Sequence, residues 1–339
     1  MLKDITVSPA PHISGPLTTR RVMADVIIAL VPAMIAAVYY FRRYALILIP
    51  VCVISAAVTE WLCNLIRRKP HPLESIGDLS AVITGIILAM SLPPAIPYWA
   101  AIIGSAFAIA IGKMVFGGLG ANIFNPAMIG RAFLTASFGM LMTTWTVPAT
   151  IDAKMSKIAV DNTLHARTQA TPLAWSKQAI KSKSGAKIAN DQLKATFTGE
   201  VGGCLGETSV IALLIGGIYL LIRKTINWRI PFAVLASAFV SSTVAYLINH
   251  TAYISPLVHL TTGGLILGAF FIATDPVTAP LTTLGRWIFG IGVGGVTILI
   301  RIVGEYPEGV MFSVLLMNAV TPLIDRLFKC VPAGGKPSV

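Results

Sequence analysis

Thr168-Gln169-Ala170-Thr171-Pro172-Leu173 is a small, hydroxyl-rich run inside Thr146–Gly206, the long polar stretch of an otherwise apolar chain. A threonine in such a setting has nothing apolar to pack against. Its hydroxyl is available to accept a group from a modifying enzyme, for which an exposed and flexible loop is the usual substrate. The bland counterpart is a turn started by Thr171-Pro172.

Two further stretches carry polar groups where apolar ones are expected. Gly117-Gly118-Leu119-Gly120-Ala121-Asn122-Ile123-Phe124-Asn125-Pro126 runs on to Gly130-Arg131 between two apolar runs. Irregular backbone at membrane depth is tolerated where protein buries it or water wets it. Asn122, Asn125 and Arg131 are therefore candidates for lining a cofactor or ion path, against the simpler reading of a turn with Pro126 opening the next helix. The second stretch is Thr274-Asp275-Pro276-Val277-Thr278-Ala279-Pro280, ending at Gly285-Arg286. Asp275 either caps a helix beginning at Pro276 or, with Thr274 and Thr278, binds a cation beside a pore. Arg131 and Arg286 are each a topology anchor or a guanidinium clamp on a phosphate or a flavin carbonyl.

Asp25, Glu60, Lys113, Glu207 and Asp325 lie in or near apolar runs, where ionisable groups are costly. Asp25, Glu60 and Asp325 stand near expected helix ends, where capping or snorkelling suffices, and the long stem of Lys113 can reach an interface. Cys52, Cys63, Cys204 and Cys330 are scattered without a CxxC pair, which excludes a cluster or structural zinc built within this chain. His71, His165, His250 and His259 are equally dispersed, so no metal site is expected. There is no nucleotide-binding glycine fingerprint.

The elements that must position these residues follow from composition. Hydrophobic residues make up 55% of the 339, charged residues 12%, and mean hydropathy is +0.78. A soluble domain carries about 25% charge, so an all-α polytopic membrane protein is expected. The formal charge of +12 sits in short turns, the pattern that orients a membrane protein, and nucleic acid is not an expected partner. About ten spans are legible: Val22–Tyr40, Tyr44–Leu65, Leu79–Leu92, Tyr98–Val115 and Ile129–Trp145, then Ser209–Ile222, Ile230–Leu247, Leu257–Ala273, Trp287–Ile302 and Val310–Leu327. Residues 1–145 and 207–339 form two five-helix membrane halves, and 146–206 is a polar loop between them.

Arg20, Arg21, Arg67, Arg68, Lys69, Arg223, Lys224, Arg229, Arg326 and Lys329 fall on one side if every span crosses. That side is expected to be the cytoplasm, with both termini inside and 146–206 periplasmic or extracellular. An odd number of spans per half is the arithmetic of an inverted repeat. Leu79–Leu88 leading to Leu92-Pro93-Pro94, and Leu260–Gly268 leading to Thr274-Asp275-Pro276, are weakly alike.

Taken together, these motifs resemble the RnfD/NqrB family, the flavin-bearing membrane subunits of the Rnf electron-transport complex and of the sodium-pumping NADH:quinone reductase. The resemblance covers nearly the whole chain. It rests on Gly117–Gly120 with Asn125–Gly130, on Thr171-Pro172-Leu173, and on Leu267-Gly268-Ala269-Phe270-Phe271 through Thr274–Ala279. It implies a urea-transporter-like fold of two inverted five-helix repeats in the bacterial inner membrane. It also implies FMN esterified through its phosphate to Thr171, with Thr168, Gln169 and Ala170 completing the attachment motif. Gln169 points to the RnfD branch. His165-Ala166 replaces the Asp-Gly common upstream, and Thr168 stands where serine is common. NqrB-like members also hold a noncovalent riboflavin, a further expectation here.

The implied function is an electron-relay subunit of a membrane-bound ferredoxin:NAD+ oxidoreductase, coupling electron transfer to sodium or proton movement and not catalytic on its own. Partner subunits would bring iron–sulfur clusters, the NADH site and a second flavin, and a flavin transferase would mature the chain. The competing class is a urea-transporter-like channel for a small solute, which has no reason to carry the Thr168–Leu173 motif.

Overall fold

The computed structural model describes residues 18–69, 74–145, 171, 173–174, 177, 197, 202–250, 253–304 and 306–328. Thr168, Gln169 and Ala170 lie outside the described residues. Among the described residues the architecture is all helical. The first half contains α1 (Thr19–Phe41), α2 (Arg43–Ile66), α3 (Ser80–Met90), α4 (Tyr98–Ile109), α5 (Pro126–Ser137) and the short α6 (Gly139–Met142). The second contains α7 (Val210–Ile222), α8 (Arg229–Ile248), α9 (Pro256–Thr261), α10 (Leu265–Leu267), α11 (Thr283–Val303) and α12 (Val310–Leu327). Single π-helical turns extend α4 over Ala110–Met114 and α10 over Gly268–Ile272.

Five helices, α1, α2, α8, α11 and α12, are long and apolar enough to cross a membrane. Their outward faces carry exposed Ile35, Ile54, Ile66, Val240, Leu299 and Leu323, a surface that water would not tolerate and lipid does. Their inward faces build the core together with shorter, more completely buried pieces. Every residue of α3 except Val82 is buried, and so is every residue from Leu265 to Ala273.

The two halves repeat one packing order. In the first, α2 packs on α3 and α4, and α4 on α5; in the second, α8 packs on α9 and α11, and α11 on α12. Across the halves like meets like, with α1 against α7 and α5 against α12. That is the pairing a two-fold repeat produces. Asp25 in α1 stitches the first of these contacts, accepting hydrogen bonds from Arg223 (3.2 and 3.4 Å), Thr225 (3.1 Å) and Tyr219 (3.3 Å).

Three of the expected spans are not single long helices, for local reasons. Leu79–Leu92 shrinks to the 11 residues of α3, because Pro93-Pro94 supplies no backbone donors. Leu257–Ala273 breaks after Thr261, where Gly263 takes φ +67, a conformation that favours glycine. Ile129–Trp145 is α5 followed by the four-residue α6. The helix expected from Pro276 is absent. A turn occupies Pro276–Thr278, and helix resumes only at Thr283, since Pro280 disfavours helical geometry in the residue before it.

Candidate functional site

The predicted polar residues gather in two places at opposite ends of the short central helices. The first is a cavity between the halves, bordered by Ser80, Lys113, Asn122, Asn125, Thr274 and Asp275. The glycine-rich run delivers two of these. Gly117, Gly118 and Gly120 all take positive φ, which turns the chain sharply enough for Asn125 to cap α5. The Asn125 side chain accepts from the Met128 amide at 3.3 Å, with Pro126 at the first helical position. The run is thus a capped turn whose Asn122 and Asn125 also line the cavity. Asn318 of α12 secures it from the other half: its carboxamide oxygen accepts from the Asn125 amide (3.0 Å) while its nitrogen donates to the Val314 carbonyl (3.1 Å).

Asn122 donates to the Phe124 carbonyl at 3.1 Å, but its buried Oδ1 has no partner among the described residues. A buried acceptor left open is costly, so the cavity wall suits a ligand bearing an N–H donor. Asp275, also at the cavity, accepts from the Val277 amide (3.1 Å) and the Thr278 hydroxyl (3.2 Å). These bonds organise a turn. Asp275 has no cationic partner among the described residues. Both π-helical turns border the cavity, one through Lys113 and the other through Phe270 and Phe271. Such turns are uncommon and concentrate at functional sites.

Lys113 and Glu60 correct the sequence reading. Neither snorkels: their side chains are 2% and 1% exposed, and the ammonium lies 2.8 Å from both Glu60 oxygens. Opposite charges placed 53 residues apart in two apolar runs were the available signal, but only packing reveals that they meet. Asp25 is likewise buried, held by Arg223, Thr225 and Tyr219. Asp325 behaves as expected, accepting from the Leu281 amide at 3.1 Å. Arg286 donates to the Pro280 carbonyl (3.2 Å) and fixes that turn.

Arg131 separates from the asparagines. It lies six residues beyond Asn125 on α5, about 9 Å along the axis, and belongs to the second place. There its guanidinium donates to the Cys204 thiol at 3.5 Å. The break between α9 and α10 is ringed by Arg131, Glu207, Arg301 and Glu308. Glu308 accepts from the Gly264 amide (2.9 Å) and from Arg301 (3.3 Å), and Arg301 also donates to the His259 and Thr262 carbonyls (2.6 and 2.9 Å). Burial and the neighbouring Glu308 carboxylate push Glu207 above the usual carboxylate range, against the pull of Arg131. Burial also opposes charge on Glu308, but Arg301 and Arg131 hold it below that range. Burial, reinforced by Glu207, keeps the Cys204 thiol neutral, well above its ordinary value.

The polar loop returns to this second place. Leu173 packs with Ile254 and Val258, and a Cβ on Gly263 would stand 2.8 Å from its Cδ1. Thr171, expected to be exposed, is only 6% exposed. Its hydroxyl accepts from the Ala174 amide at 3.1 Å, so docking of Leu173 draws the threonine in as a cap. The hydroxyl oxygen fits as an attachment atom, because a phosphoester oxygen keeps a lone pair for that amide.

A family model described as NQR2, RnfD, RnfE matches residues 6–334. The chain belongs to this family. Its relatives include the D-subunit of the Na+-translocating ferredoxin:NAD+ oxidoreductase complex of Acetobacterium woodii, 43% identical over 96% of this chain and 94% of that one. The D-subunit of the proton-translocating ferredoxin:NAD+ oxidoreductase complex of Clostridium ljungdahlii is also 43% identical, over 97% and 96%. The D-subunit of an ion-translocating oxidoreductase complex from Halorhodospira halophila is 39% identical over 93% and 92%. The resemblance read from Gly117–Gly130 and Thr274–Ala279 therefore extends over nearly the full chain of this NQR2, RnfD, RnfE family member.

Proposed function

We propose that this chain is the electron-relay subunit of an Rnf-type, membrane-bound ferredoxin:NAD+ oxidoreductase complex, carrying FMN on Thr171 and coupling electron transfer to movement of sodium or protons. The observation that carries the reading is the near full-length match to the D-subunits of two such complexes. Identity of 43% to both a sodium-translocating and a proton-translocating relative does not choose the ion.

FMN, when bound, supplies one- and two-electron transfer. The chain's own contribution is to hold and orient it. Thr171 offers the ester oxygen, the Ala174 amide holds that oxygen, and Leu173 anchors the segment on α9. Thr168, Gln169 and Ala170 form the recognition motif for a flavin transferase. Because docking buries Thr171, attachment precedes docking. A noncovalent riboflavin would be held at the cavity, with the open Asn122 Oδ1 accepting from a flavin N–H and Asn125 beside it. Asp275, Thr274 and Thr278 make the polar wall of an ion path. Arg131 holds the flavin-bearing end together through Cys204.

The halves 1–145 and 207–339 enclose the cavity, and 146–206 presents the flavin on the periplasmic or extracellular side of the inner membrane, with both termini cytoplasmic. Iron–sulfur, NADH-binding and second-flavin subunits complete the complex. The test is ultraviolet fluorescence of the denatured band with intact mass, on wild type and Thr171→Val. A fluorescent wild type and a dark variant are expected. A dark wild-type band at the mass of the bare polypeptide would overturn the reading and favour solute permeation.

A further inference from the structure

Trp228, Phe232 and Trp287 form a closed triangle of rings where α8 and α11 begin. Ring centroids are 6.1 Å apart for Trp228 and Phe232, 5.9 Å for the two tryptophans and 5.8 Å for Phe232 and Trp287, each pair edge to face. Edge-to-face contact fixes ring orientation, so the triangle is one rigid surface rather than three separate side chains. It is also open, with Trp228 51% and Phe232 56% exposed. The Arg229 guanidinium stands over the Trp228 ring, 5.3 Å from its centroid, a cation held on an aromatic face. The Asn227 side chain fixes the backbone there, accepting from the Arg229 amide at 3.1 Å.

Two spans meet to build this end. α8 and α11 run in the same direction, with Gly290 against Ala233 and, one turn on, Gly294 against Val234 and Ser237. A Cβ on Gly290 would stand 2.6 Å from the Ala233 Cβ, so the Gly290–Gly294 spacing lets the two backbones approach as small residues do between membrane helices. Both helices are long and apolar enough to cross a bilayer, which puts the triangle at a boundary of the hydrocarbon, where tryptophan collects. The charges at this level are unbalanced. Arg223 is taken by Asp25, and Arg286 by the Pro280 carbonyl. Lys224, in the turn from α7, and Arg229 have no carboxylate partner among the described residues. Neither α8 nor α11 has an acidic residue in its first turn. An exposed aromatic surface suits an acyl chain, and an uncompensated guanidinium suits a phosphate. A zwitterionic lipid brings its own cation beside the phosphate and does not answer the surplus, whereas an anionic phospholipid does.

We propose that Arg229, Lys224 and the Trp228–Phe232–Trp287 triangle form a binding site for an anionic phospholipid. The Arg229 guanidinium donates to the phosphate oxygens, Lys224 adds a second positive charge, and the rings support the glycerol and the upper acyl carbons. The site goes beyond the proposed function and depends neither on flavin nor on an ion route.

Quenching of tryptophan fluorescence by brominated lipid tests it. The full-length chain in phosphatidylcholine vesicles is titrated with phosphatidylglycerol brominated on its acyl chains and, in parallel, with brominated phosphatidylcholine. Bromine quenches a tryptophan it touches, and the difference between wild type and Trp228→Phe isolates the signal of Trp228. Brominated phosphatidylglycerol should quench it at an about tenfold lower lipid fraction, the order expected of two basic groups facing a lipid phosphate. Arg229→Gln combined with Lys224→Gln should remove that preference and leave quenching by phosphatidylcholine unchanged. Equal quenching of the wild-type chain by the two lipids would make the triangle an ordinary interfacial surface and overturn the proposal. Absence of quenching by either lipid would show this face covered by protein and overturn it as well. A preference that persists in the double variant would remove Lys224 and Arg229 from the site. The wild-type comparison leaves both cations in place, so it decides even where the double variant does not fold.

Discussion

Asp25 in α1 accepts both hydrogen bonds of the Arg223 guanidinium, 198 residues later, at 3.2 and 3.4 Å. Together with Thr225 and Tyr219, this makes one carboxylate the polar fastening between α1 and α7. Asp25→Ala leaves three donors without their acceptor. The Arg223 side chain is 38% exposed, so water recovers part of the loss. The thermal midpoint of the purified chain in detergent should drop accordingly, and Asp25→Asn should recover part of it. An unchanged midpoint would show that apolar packing alone holds the halves.

Thr171→Val tests attachment on a buried position rather than an exposed one. The variant keeps the shape but loses the acceptor for the Ala174 amide, a cap worth about 1 kcal/mol. Folding should survive and covalent flavin should vanish from the denatured band. Thr171→Ser keeps both hydroxyl and cap, and should retain fluorescence.

Glu207 and Glu308 give opposite dependences on pH. A carboxyl raised in the folded state loses stability as pH rises through its folded value, and a lowered one loses it as pH falls through its folded value. Glu207 lies above the ordinary 4.5 and Glu308 below it. Glu207→Gln should therefore raise the thermal midpoint at pH 8, with the gain disappearing toward pH 4.5. Glu308→Gln should lower the midpoint at neutral pH, because Arg301 loses its partner, and the penalty should shrink below pH 4.5. Parallel pH curves for both variants would refute the assignment.

The sequence exposes the outer ring of this fold more readily than its centre. α1, α2, α8, α11 and α12 are long uninterrupted apolar runs, and period and length suffice to find them. α3, α9 and α10 have the same composition, but their ends are set by Pro93-Pro94 and by the positive φ of Gly263, which a hydropathy window averages away. Asn122, Asn125, Thr274 and Asp275 were legible as candidates because polar groups between apolar runs are conspicuous. Their meeting at one cavity, and the departure of Arg131 to the other end, depend on how α5 and α10 pack. Glu60 and Lys113 are conspicuous as charges but read as helix-end or interface-reaching groups, and Asn318 does not stand out, because the sequence does not reveal their partners.

Gly263 tests the docking of the segment proposed to carry flavin. A Cβ there would collide with Glu308 Oε2 and stand 2.7 Å from Arg301 Nη2 and 2.8 Å from Leu173 Cδ1, at φ +67. Leu173 is the contact with room to leave. Gly263→Ala should therefore undock the segment at a cost of about 1–3 kcal/mol, exposing the Thr171–Lys177 stretch to limited proteolysis. Under the proposed function, in which attachment precedes docking, covalent flavin should remain. Equal protection of this stretch in wild type and variant would mean that Leu173 does not set its position.

Asp275 separates turn from charge. Its Oδ1 takes the Val277 amide and its Oδ2 the Thr278 hydroxyl. In Asp275→Asn the carboxamide oxygen still accepts from Val277, and the nitrogen donates to a Thr278 hydroxyl that reverses its role. The turn, the thermal midpoint and the flavin content should therefore stay near wild type. The carboxylate bordering the cavity is lost, and on the proposed ion path a cation there loses its charged ligand. Ion movement per electron should fall roughly tenfold, equivalent to about 1.4 kcal/mol of cation binding. Vesicles containing the variant complex can be compared with wild type at matched electron-transfer rates. Undiminished ion movement would reduce Asp275 to the turn it organises, and the ion route would then have to avoid this wall of the cavity.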